Sequence, residues 1–149
     1  FYPEDASDAC CVLAGDISHR LSVIESTLST LSKRFRTLFF VPGNHELWVR
    51  PEGARCHHTG SAWTSLDKLD WIHATCDELG VLTSWATVGN VHVVPMLSWY
   101  DRTLRLDGIR SLPLTLWADY KRCIWPSPLS DGSIDALDAN VLSLFIARN

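Results

Sequence analysis

Two short apolar runs constrain this chain most, because each is cut off by a glycine and then by polar residues able to hold a cation or move a proton. Cys10 to Ala14 stops at Gly15-Asp16-Ile17-Ser18-His19, and Thr37 to Val41 stops at Pro42-Gly43-Asn44-His45-Glu46. Apolar runs of this length, bounded by turn residues, are predicted to be fully buried strands. Between them Leu21, Ile24, Leu28, Leu31 and Phe35 recur at steps of three and four, the pattern of a helix with one apolar face. Ser22 and Glu25 have capping-box spacing near its start. A strand, a crossover helix and a second strand pair in parallel with a right-handed crossover, so both loops leave one carboxyl edge of a sheet. Neighbouring strands lie about 4.8 Å apart, which lets Asp16 and Asn44 reach a common ion.

Beyond the second loop, Arg50 to Gly60 is polar and helix-breaking. Trp63, Leu66, Leu69, Ile72, Cys76 and Leu79 then trace a second amphipathic helix, opened by a capping box from Thr64 to Asp67 and closed by Gly80. Thr83 to Val88 and Val91 to Leu97 read as two strands joined at Gly89-Asn90, with Pro95 placing the second at an edge or bulge. After Asp101 the pattern weakens until Ile134, Leu137, Val141, Leu144 and Phe145 predict a last helix. At 149 residues, 46% of them hydrophobic, the chain has material for one core. The fold class expected is α/β, within one domain or part of one. A strand so close to Phe1 implies that a preceding segment belongs to the same domain.

Charge and cysteine usage exclude several functions. A net charge of −4 provides no footprint for nucleic acid, and Lys33, Arg34 and Arg36 read as a solvated helix end. No apolar run approaches the ~18 residues needed to span a bilayer, so no membrane partner is expected. Five unevenly spaced cysteines suit reduced thiols in a cytoplasmic setting. Cys56, His57 and His58 make a poor zinc site, since adjacent histidines cannot easily face one ion and no second pair completes four ligands. His73 and His92 read as surface residues.

Taken singly, the loop residues have plain structural readings. Asp16 could cap a helix, and Asn44 could simply occupy a turn. As a set they offer more. Asp16 has two oxygens that can bridge two cations, Asn44 adds a neutral carbonyl oxygen, and His45 beside Glu46 can donate a proton to a leaving alkoxide.

The Gly-Asp-x-x-His and Gly-Asn-His-Glu loops, in this order and on these strand ends, resemble two signature motifs of the calcineurin-like metallophosphoesterases. That resemblance implies a two-sheet αββα sandwich hydrolysing phosphate esters at a binuclear centre of Mn, Fe or Zn. Asp16 would bridge the two metals and Asn44 would ligate the second. His45 would act near the leaving group, Glu46 would orient His45, and His19 would lie in or just behind the ligand shell. Ser98-Trp99-Tyr100-Asp101 resembles a segment found in some members, which makes Tyr100 and Asp101 candidates for the substrate cleft. An upstream Asp-x-His and a downstream Gly-His-x-His belong to the family pattern and do not occur here. The chain therefore reads as a partial catalytic domain over 1–149, inactive as an isolated piece. The rival reading is a noncatalytic truncated or degenerate fragment acting at most as an interaction module.

Overall fold

The computed structural model describes residues 6–49, 63–100 and 116–149. The elements run β1 (Cys10–Ala14), α1 (Leu21–Arg34), β2 (Thr37–Val41), a 3-10 turn (His45–Leu47), α2 (Ser65–Leu79), β3 (Ala86–Val88), β4 (Val91–Val93), α3 (Asp119–Arg122) and α4 (Ile134–Arg148). β1 and β2 pair in parallel, with Cys10 opposite Thr37 and Ala14 opposite Val41. On the far edge of β2, Phe39 forms a parallel bridge with Leu82. β3 and β4 form a separate antiparallel hairpin around Gly89 and Asn90. The result is a mixed α/β fold with two small sheets, in which the hairpin strands are shorter than their apolar runs predict.

One core cluster explains why both loops are held against the same scaffold. Ile24 and Leu28 from α1, Leu38 and Phe40 from β2, and Ile72 and Cys76 from α2 pack together, with Cys11 and Leu13 of β1 against them. A second cluster joins Leu47 to Leu69, Trp125, Val141 and Phe145, so α2 touches both. β2 is buried on both faces: Leu38, Phe39 and Phe40 are all at most 2% exposed. β1 departs from the predicted full burial. Its residues alternate, and Val12 is 56% exposed although its register partner Phe39 is covered. Cys11 and Leu13 face the helices, while among the described residues nothing comparable covers the opposite side of β1.

The helix signals divide in the same way. α2 begins with the predicted capping box, since Thr64 accepts from the Asp67 amide and the Asp67 side chain accepts from the Thr64 amide. It ends at Gly80 in the left-handed conformation, φ 68°. For α1 the predicted Ser22–Glu25 box is corrected: the N-cap is Arg20 without a side-chain cap, because the helix has already begun at Leu21. α4 takes Ser133 as its N-cap, accepting from the Ala136 amide. Among the described residues no helix is long and apolar enough to cross a membrane.

Candidate active site

The two loops touch through their glycines. Gly15 has φ +64°, and a Cβ there would come within 2.5 Å of the Gly43 nitrogen and 2.7 Å of its Cα. A Cβ on Gly43 would in turn collide with Asp16 Oδ1. Only glycine at both positions lets the main chains approach this closely. Asp16 itself has φ 56°, a left-handed conformation that costs most residues about 1–2 kcal/mol and that Asp tolerates better. The turn carries the Asp16 carboxylate across to the second loop, where Oδ1 accepts a long bond of 3.4 Å from the His45 amide.

Glu46 fixes this arrangement from below. Its side chain is 0% exposed, and its carboxylate accepts from the amides of Asp16 at 2.7 Å, Gly43 at 2.8 Å and Ser18 at 3.0 Å. A buried carboxylate needs such donors, and three amides from two loops supply them. The predicted role of orienting the His45 ring therefore gives way to a main-chain role. Lys68, buried on α2, clamps the same loops from another side, donating to the carbonyls of His19 at 2.8 Å and Trp48 at 2.7 Å. Burial pushes the Lys68 ammonium down to about 8, against a smaller opposing pull from Glu46.

A third group organises the side chains. Asp119, 7% exposed, accepts at Oδ1 from Asn44 Nδ2 at 2.9 Å and from Trp48 Nε1, and at Oδ2 from the Tyr100 hydroxyl at 3.0 Å. The indole of Trp48 lies against the His45 imidazole, ring centroids 3.8 Å apart, and the Arg122 guanidinium lies 4.3 Å from a Trp48 ring centroid. Burial, then the Asp119 charge, drives the Tyr100 phenol far above its ordinary range. The His19 ring stands 6.4 Å from that of Trp48.

Of the residues expected from sequence, Asp16, Asn44, His45 and Glu46 are thus brought together at one rim, with His19 beside it and Tyr100 reaching it through Asp119. Asp101 lies outside the described residues, as do Cys56, His57 and His58. His92 is exposed, bonded to Thr87, whereas His73 is half-buried, which lowers its pKa. Sequence reasoning missed Lys68, Trp48 and Asp119. Lys68 had a signal, since it stands in the buried helical stripe with Ser65, Leu69 and Ile72. Asp119 had none, in a segment without periodicity.

A family model described as calcineurin-like phosphoesterase matches residues 6–145. The chain belongs to the calcineurin-like phosphoesterases. It is 32% identical over 117 residues to the acyl-carrier-protein phosphodiesterase PptH of Mycobacterium tuberculosis, an alignment covering 74% of this chain and 34% of that protein. The crystal structure of phosphopantetheinyl hydrolase (PptH) from Mycobacterium tuberculosis superposes with a TM-score of 0.64 at 24% identity. That match covers 99% of this chain and 55% of the crystallised chain, so this chain spans only part of PptH in either comparison.

The donor set suits a hard or borderline divalent cation. Asp16 brings a carboxylate and Asn44 a carbonyl oxygen, and because the Asn44 nitrogen is held by Asp119, the amide oxygen is left for another partner. Among the described residues no group of three or more His, Cys, Asp or Glu side chains is placed to hold an ion. Asp16 and Asn44 are the oxygen-bearing side chains that the two loops present at this rim.

Proposed function

We propose that this chain forms part of a metal-dependent hydrolase of phosphate esters, with phosphodiesters as the favoured substrates, in which Asp16 and Asn44 contribute to a two-cation centre. The observation carrying this reading is the convergence of the two loops at the carboxyl rim of β1 and β2, where the Asp16 carboxylate meets the amide between Asn44 and His45. The phosphodiesterase activity in the name of the 32%-identical relative supports the substrate class.

When bound, the divalent cations would acidify a water and neutralise charge on the phosphoryl oxygens. Asp16 would hold them through its carboxylate and Asn44 through its carbonyl oxygen. In hydrolysis, the water oxygen bonds to phosphorus while the bond from phosphorus to the leaving oxygen breaks. His45 donates a ring proton to that departing oxygen. Trp48 limits the directions in which His45 can turn, which keeps the donor at the rim.

The test is hydrolysis of bis(p-nitrophenyl) phosphate by the complete protein with added Mn, before and after chelation. The expected result is activity lost to chelator and restored by Mn, with His45→Ala reducing the rate by about 10²–10⁴-fold and Asn44→Ala weakening Mn dependence. Equal rates in parent and both variants would remove these residues from the mechanism.

A further inference from the structure

Asp119 stands 75 residues from Asn44 in sequence and belongs to neither motif loop, yet it is bonded to the side chain of one proposed ligand. Its two oxygens collect Asn44 Nδ2, Trp48 Nε1 and the Tyr100 hydroxyl. An amide side chain can present either end to a neighbour, and the choice is set by its hydrogen bonds. A carboxylate accepts and cannot donate, so Asp119 admits only the nitrogen end of Asn44. The carbonyl end is thereby turned away from Asp119. The same carboxylate pins the indole of Trp48, against which the His45 ring lies at 3.8 Å.

We propose that Asp119 is a positioning residue of the metal site: it sets the amide of Asn44 with the oxygen available to a cation, and through Trp48 it holds the proton donor His45. The inference rests on the metal-site reading above for its Asn44 half, whereas the Trp48–His45 half stands on geometry alone. Replacement by Asn is milder than truncation, because one acceptor oxygen remains for Asn44 and Trp48 and the new NH2 group faces the Tyr100 hydroxyl, which can accept. Support of this kind behind a ligand typically governs 10–100-fold in metal affinity.

The experiment is a cycle on the protein with Asp119→Ala, Asn44→Ala and the double variant, read by Mn competition titration and by NMR of the His45 ring protons. Asp119→Ala is expected to weaken Mn binding about 10–100-fold in the parent and to add nothing in the Asn44→Ala background. The His45 ring protons, displaced upfield by the tilted indole 3.8 Å away, are expected to lose most of that displacement. The Ile24 and Leu28 methyl resonances in the distant core should stay in place, which a merely structural loss would not allow. Should Asp119→Ala fail to fold, Asp119→Asn runs the same cycle, with the same signs and smaller factors. An equal loss of Mn affinity in both backgrounds, or an unmoved His45 resonance, would overturn the proposal. A parent protein that binds no Mn at all would instead defeat the metal-site reading, and the His45 resonance would still decide whether Asp119 acts through Trp48.

Discussion

Two buried carboxylates serve the same rim in opposite ways. Glu46 accepts from three main-chain amides, those of Asp16, Ser18 and Gly43. Asp119 accepts from three side chains, Asn44, Trp48 and Tyr100. The first therefore determines where the two loops run, and the second determines where their side chains point. A loop path that is wrong moves every ligand at once; a side chain that is misaimed costs one contact. The two kinds of support should accordingly fail differently, Glu46 through loss of stability and Asp119 through loss of binding.

The largest effect is expected at Glu46. Glu46→Ala leaves three amides without their acceptor, each costing on the order of 1 kcal/mol or more, so about 3 kcal/mol should be lost in chemical denaturation. Hydrogen exchange should quicken at Asp16, Ser18 and Gly43 before it does in α1. Glu46→Gln, which keeps one acceptor oxygen, should lose more stability than Asp119→Asn; equal losses would erase the distinction between the two carboxylates.

Next comes the contact between the glycines. Gly15→Ala must accommodate a Cβ 2.5 Å from the Gly43 nitrogen at φ +64°, and about 1–3 kcal/mol of destabilisation is expected. Mn affinity should fall with it, because Asp16 is carried on the displaced turn. A variant as stable as the parent would show that the loops need no close approach.

The smallest effect is a pH dependence that tests whether the Lys68 clamp is independent of the core thiols. Lys68 ordinarily titrates near 10.5 and is lowered to about 8 by burial, so between these values the folded chain binds fewer protons than the unfolded one and stability rises with pH. Cys76 and Cys123, raised from 9.0 to about 12 by burial, hold protons in the folded chain that the unfolded chain has released, so stability falls across that window. One rising contribution against these two falling ones, joined above pH 10 by the raised Tyr100 phenol, places the maximum at about pH 9. Thermal unfolding from pH 7 to 11 reads this, and alanine at both cysteines should move the maximum to higher pH. A maximum unmoved by those replacements would exclude the thiols as its cause.

Much of this was legible along the chain because it depends on neighbours in sequence. The crossover unit, the capping box of α2, the stop at Gly80 and the placement of Asp16 and Asn44 on two strand ends all follow from local pattern. Other features were invisible for a physical reason. The exposure of Val12 depends on what covers the outer face of β1, and an apolar run looks the same whether it is covered on one side or two. The start of α1 at Leu21, without a side-chain cap, shows local preference yielding to the packing of Ile24 and Leu28.

Sequence by itself determined the kind of site: a carboxylate, an amide and an imidazole, presented on loops that glycines allow to meet. Tertiary structure alone decided what aims them. Glu46 sits next to His45 in the chain, yet its carboxylate turns to backbone amides up to 30 positions away, while Asp119 comes to Asn44 across 75. Hydrogen-bond donors pair with whichever acceptor the packed core delivers, and separation along the chain does not record that delivery.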